Sequence, residues 1–217
     1  MIRVYKSEVV PPSLQVENCK KYDNQDVQDS LVKDQHQKCY LCEQNTNKSY
    51  QIEHLRAKAE NFNPELKFVW TNLLLSCSYC NGRKPNSFKL LDPVTNNVED
   101  IITHRLDFSN NMVVFETSRN GIQENNTTKL LSKLFNGEVN LRDKKTQILF
   151  EDLQREIIFF LGLLNTYNLK KDHENKLKVI DSLNIKKEFL AFKYWIIKNN
   201  KTFYNDFKEY IIWNKHF

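Results

Sequence analysis

Apolar positions along the chain change period once, near Gly121. Before it they come in short runs separated by Asn, Pro and Ser; after it they recur every three or four residues. In the first part, Ile2 to Lys6 reads as a short strand that Pro11 and Pro12 end. Val27, Leu31 and Val32 predict a helix from about Asp23 to Gln37. Tyr50 to His54 predicts a strand, Asn61 to Pro64 a loop and Asn72 to Ser76 a second short strand. Ser78 to Arg83 predicts a short helix that Pro85 closes. Arg105 to Phe108 and Met112 to Phe115 predict a hairpin turning at Asn110 and Asn111.

Beyond Gly121 helices are expected at about 125–135, 140–167, 170–182, 185–199 and 203–213. Ile148, Leu149, Leu153, Ile157, Phe160, Leu161 and Leu164 give the second of these a wide apolar stripe. Gly137 and Asn140 are expected to mark the stop and start between the first two. The expected fold class is α+β. A site-bearing part with its flanking hairpin covers residues 1–118, and a helical region covers 119–217.

Composition narrows the class. With 217 residues, 40% hydrophobic and 27% charged, the chain has the make-up of an ordinary globular protein. The longest apolar run, Ile157 to Leu164, is too short to span a bilayer. Lys6 and Glu8 interrupt the stretch where a signal peptide needs an apolar core. A cytoplasmic protein without a membrane partner is expected, and the sequons at Asn47, Asn125, Asn126 and Asn200 then follow from an Asn-rich composition.

The net charge of +5 is uneven. Residues 141–217 hold 15 Lys/Arg against 10 Asp/Glu, which leaves 17 of each in the first 140. A basic C-terminal part fits a polyanionic partner, although Lys-rich helices are also simply well solvated.

The chemistry-bearing residues cluster between positions 38 and 88. Two Cys-x-x-Cys pairs, Cys39/Cys42 and Cys77/Cys80, complete the ligand set of a closed tetrahedral zinc site. Cys19 is left over as a spare thiol. The 34 residues between the pairs contain Glu53 and His54, and Asn81 directly follows the last cysteine. Carboxylate and amide oxygens suit a hard Mg²⁺ or Mn²⁺ ion, and an imidazole accepts a proton near neutral pH. In a regular strand Glu53 and His54 face opposite sides, so a bulge or strand end is needed for both to serve one site. Arg56, Lys58, Arg83 and Lys84 are candidate phosphate contacts, or plain surface charges. Trp70, Tyr50 and Phe88 read as packing residues.

The order of these residues resembles the zinc-containing branch of the HNH, or ββα-metal, endonucleases. It is closest to the HNH subunit of the Septu anti-phage system and of related retrons (PtuB-like proteins). The resemblance rests on KDQHQKCYLCE (33–43), IEHLRAK (52–58), WTNLLLSCSYCNGRK (70–84) and SFKLLDP (87–93), with an echo in LLSKLFNGEVNLRDKK (130–145). Ala57 stands where relatives commonly carry Pro, which alters loop stiffness more than chemistry.

The resemblance implies a zinc-stapled ββα-metal core. It makes His54 the general base, Glu53 and Asn81 ligands of a catalytic Mg²⁺ or Mn²⁺, and Asn72 the residue that orients the base-bearing strand. It gives the four cysteines to structural Zn²⁺ and matches Lys84 to a recurring lysine; with Arg56, which lies close to the motif, Lys84 is the expected contact to substrate phosphates. It also implies phosphodiester hydrolysis of DNA or RNA in bacterial anti-phage defence. The implied partner is an SMC- or ABC-like ATPase (PtuA-like), with a retron reverse transcriptase and its RNA–DNA product as a further possibility. Only four glycines occur and none forms a phosphate cradle, so ATP control would come from that other subunit. The competing readings are a non-catalytic zinc-organised binding module and a free-standing restriction-type nuclease. The latter usually carries a sequence-reading domain, for which no motif is present.

Overall fold

The computed structural model describes residues 1–17, 19–46, 49–57 and 64–214. It is a mixed α+β chain with two small antiparallel sheets. Helix α1 (Gln25–Asp34) precedes strand β1 (Tyr50–His54), which pairs with β2 (Leu73–Cys77) from Tyr50↔Cys77 to His54↔Leu73. β2 runs directly into α2 (Ser78–Asn81).

Alternation sends Leu73 and Leu75 of β2 to one side, where they pack with Val27 and Leu31 of α1 and with Trp70. Leu74 faces the other side and joins the largest apolar cluster. A two-stranded ribbon is marginal alone, so burial on both faces is what makes this one persist. The Gln35 side chain does part of a third strand's work: its Nε2 donates to Leu75 O and its Oε1 accepts from Leu75 N.

After α3 (Val98–Ile101) come β3 (Thr103–Asp107) and β4 (Met112–Glu116), with Asn111 at positive φ in the turn. Helices α4 (Ile122–Asn136), α5 (Lys144–Leu169), α6 (His173–Ser182), α7 (Leu190–Lys198) and α8 (Lys201–Phe207) follow. Gly137 ends α4 at φ 82°, where a Cβ would lie 2.0 Å from Leu141 O. The largest apolar cluster among the described residues joins Met1, the knuckle residues Cys39 to Cys42, Leu130 to Phe135, Leu149 to Ile157 and Phe192, so it crosses residue 118. No helix among the described residues is long and apolar enough to cross a membrane.

Several expected elements are placed differently. Residues 2–6 form no strand: Arg3 N donates to Glu99 Oε2 and Val4 N to Pro93 O, so the backbone is satisfied without a ladder. Helix α5 starts after Asp143, not Asn140, because the Asp143 carboxylate caps Thr146 N at 2.8 Å. α7 begins five residues later than the pattern suggested, and α8 gives way to a 3₁₀ turn at Lys208–Tyr210. Residues 61–63 of the expected loop, Lys58 and Asn47 lie outside the described residues.

Glu99 is fully buried, with Arg3 N on Oε2 at 3.0 Å and Oε1 without a partner. Burial pushes its carboxyl up to about 8. The unfolded chain releases this proton near 4.5 and the folded chain holds it until about 8, so stability falls as pH rises across that window. Glu99→Gln should therefore melt higher than wild type by about 4 °C or more at pH 8, with the margin vanishing below pH 5; calorimetry at both pH values measures this.

Candidate metal centre and the residues around it

The ligand atoms of Cys39, Cys42, Cys77 and Cys80 all lie within 4.8 Å of one another, and Cys42 Sγ and Cys77 Sγ are 4.0 Å apart. A tetrahedron with metal–sulfur bonds of about 2.3 Å has edges of about 3.8 Å. The four sulfurs thus fit a closed structural zinc site.

Local structure places each of them. Glu43 N donates to Cys39 O and Cys39 N to Gln44 O, a tight knuckle in which Glu43 adopts φ 63°. Tyr40 N donates to Leu75 O and ties that knuckle to β2. Cys77 caps α2, its sulfur accepting from Cys80 N at 3.4 Å. Burial, with the neighbouring sulfurs, pushes the Cys80 thiol well above its usual range. A divalent cation removes that penalty by holding the sulfurs as thiolates.

Beside the cluster, β1 presents Gln51 and Glu53 toward α2. Asn81 Nδ2 donates to Gln51 Oε1 at 2.6 Å, and the Lys84 ammonium pairs with Glu53 Oε1 at 2.6 Å. Lys84 is only 7% exposed, so its charge is directed at Glu53 rather than at solvent. Glu53, Asn81 and Lys84 are therefore on one side of the ribbon.

His54 is the last residue of β1 and faces the α1 side, 5% exposed, with its ring edge-on to Tyr22 at 4.6 Å. Its Nε2 lies 3.0 Å from Lys67 O. A carbonyl only accepts, so the neutral ring carries its proton on Nε2 and keeps the lone pair on Nδ1. The pairing stays regular through His54↔Leu73, and Glu53 and His54 occupy opposite faces up to the strand's end.

Asn72, 5% exposed, staples the turn after His54. Its Oδ1 accepts from Arg56 N at 2.9 Å, its Nδ2 donates to Arg56 O and Leu66 O, and its own carbonyl accepts from Leu55 N. The Arg56 side chain is exposed. Arg83 pairs with Asp143 and stacks on Tyr79 with its guanidinium carbon 4.0 Å from the ring centroid.

Three neighbours escaped the sequence reading. Gln51 sits two residues before Glu53 and was findable from the strand period alone. Tyr22 and the Lys67 carbonyl reach His54 only through the tertiary fold. No protein-family model and no curated protein matches this chain.

Purified protein should carry one zinc per chain by elemental analysis. Cys77→Ser should be depleted in zinc and poorly soluble, because losing one thiolate forfeits a site worth on the order of 10 kcal/mol to folding. A well-folded, zinc-free Cys77→Ser protein would remove the structural role.

Proposed function

We propose that this chain is a metal-dependent endonuclease of the HNH type that hydrolyses phosphodiester bonds of DNA or RNA. The observation that carries the reading is the β1–β2–α2 unit, closed at one end by the four-cysteine cluster. Around that unit stand Glu53, Asn81 and Lys84 on one side and, at the strand's end, a histidine of fixed tautomer. A scaffold would need only the cysteines.

Hydrolysis requires a base for the attacking water, neutralisation of the developing charge and in-line geometry. His54 serves as the base through Nδ1, with its other nitrogen held by the Lys67 carbonyl. Glu53 and Asn81 are the residues that would hold Mg²⁺ or Mn²⁺, an ion that, when bound, neutralises phosphate oxygens. Lys84 and the exposed Arg56 supply positive charge to the flanking phosphates. The surplus of five bases in residues 141–217 suits a nucleic acid or a docking subunit. The likeness to Septu and retron effectors extends the proposal to anti-phage defence alongside an SMC- or ABC-like ATPase.

A second reading, a non-catalytic zinc-organised binding module, has specific observations in its favour. An ammonium already occupies Glu53, and His54 is nearly covered.

Nicking of plasmid DNA and cleavage of RNA in Mg²⁺ or Mn²⁺ separate the two. His54→Ala should keep zinc and fold and lose about 100-fold or more in rate. Full activity in that variant would end the base assignment, and inactive wild type with its partner present would favour the module. Glu53→Gln should shift the activating Mg²⁺ concentration upward, and an unchanged metal titration would take Glu53 out of the ligand set.

A further inference from the structure

The segment that was expected to be a strand, residues 2–6, leads into a clamp instead. The Lys6 ammonium donates to Trp70 O and to Leu73 O, both at 2.5 Å, and stands 3.3 Å from the centroid of the Trp70 ring. Trp70 answers from the other direction: its Nε1 donates to Ser7 O at 3.0 Å. Ser7 N in turn donates to Asp34 Oδ2 at the end of α1. Two consecutive residues therefore bridge α1 to the 3₁₀ turn Trp70–Asn72 and to the first residue of β2.

The carbonyls Lys6 takes are those that bracket Asn72. One of them belongs to Leu73, the cross-strand partner of His54. Asn72 then passes the constraint on, since Leu55 N donates to its carbonyl and Arg56 N to its side chain. The backbone across from His54 and the two residues after it are thereby referred to one half-buried ammonium. A lysine stem is flexible and costly to immobilise, so three simultaneous contacts on one Nζ mark a built arrangement rather than a surface charge.

We propose that Lys6 is a positioning residue for His54, acting through the Trp70–Leu73 turn and Asn72 to hold the end of β1 in place. Its effect on catalysis rests on the nuclease reading; its effect on the strand's end does not.

The test uses the full, zinc-loaded chain. In Lys6→Met, amide hydrogen exchange at Leu55 and Arg56 should accelerate about tenfold or more, the loss expected of one or two hydrogen bonds. Helices α5 to α8 should be unaffected, and the His54 ring signals should shift in the NMR spectrum. Lys6→Arg, which can still donate to two carbonyls, should restore both. With nuclease activity present, kcat should fall in Lys6→Met with KM little changed. Unaltered exchange at Leu55 and Arg56 together with an unmoved His54 signal would overturn the proposal, whatever the activity. Wild type that never cleaves would overturn the nuclease reading alone. If Lys6→Met does not fold, Trp70→Phe removes the reciprocal bond to Ser7 O while keeping the ring. It should accelerate exchange at the same two amides, and no change there overturns the clamp.

Discussion

Four sulfurs must meet within a few ångströms although two of them are separated from the other two by 34 residues of chain. Everything around β1 and β2 follows from closing that loop. The intervening segment carries only five residues of regular strand at each end, too little to hold register by hydrogen bonds alone. A metal at the cluster would fix both the knuckle at Cys39 and the start of α2. Packing then needs to settle only the far end of the ribbon, the end at His54. There the contacts are of a different kind, polar and aromatic side-chain contacts from Asn72, the Lys67 carbonyl, Tyr22 and the Lys6 ammonium.

The same division explains what the sequence could reveal. Cysteine spacing and strand period are local, and they located β1, β2 and α2 to within a residue or two and the four cysteines that cluster. The hairpin at Asn111 and the long helices were legible for the same reason, since turn chemistry and apolar spacing are both written in adjacent positions. Residues 2–6 misled because alternating Ile2, Val4 and Lys6 have strand period but no strand to pair with. Their backbone groups find Glu99 and Pro93 instead. The start of α5 misled because both Asn140 and Asp143 are good caps by type. Only the geometry of Thr146 selects the second.

At the site the legible part was the set of residues and the illegible part was their pairing. Glu53 and Asn81 were read as ligands of one ion and Lys84 as a phosphate contact; the structure pairs Lys84 with Glu53 and Asn81 with Gln51. That Lys84 would turn inward onto Glu53, or that Gln51 would take the Asn81 amide, depends on how α2 sits over β1, which no local pattern encodes.

That pairing has a consequence for the nuclease reading. An ammonium and a divalent ion compete for one carboxylate, and burying both cations beside it without further anions is costly. Lys84 is nearly covered, so displacing it from Glu53 leaves a buried charge that needs a new partner at once. A phosphate arriving with the metal is such a partner: it carries negative charge and lies within reach of a long, flexible side chain. On the nuclease reading metal and phosphate would bind more tightly together than either would alone, because each would remove the cost the other imposes. On that reading, the ion pair that favours a non-catalytic scaffold would then also make the site respond to substrate rather than to metal.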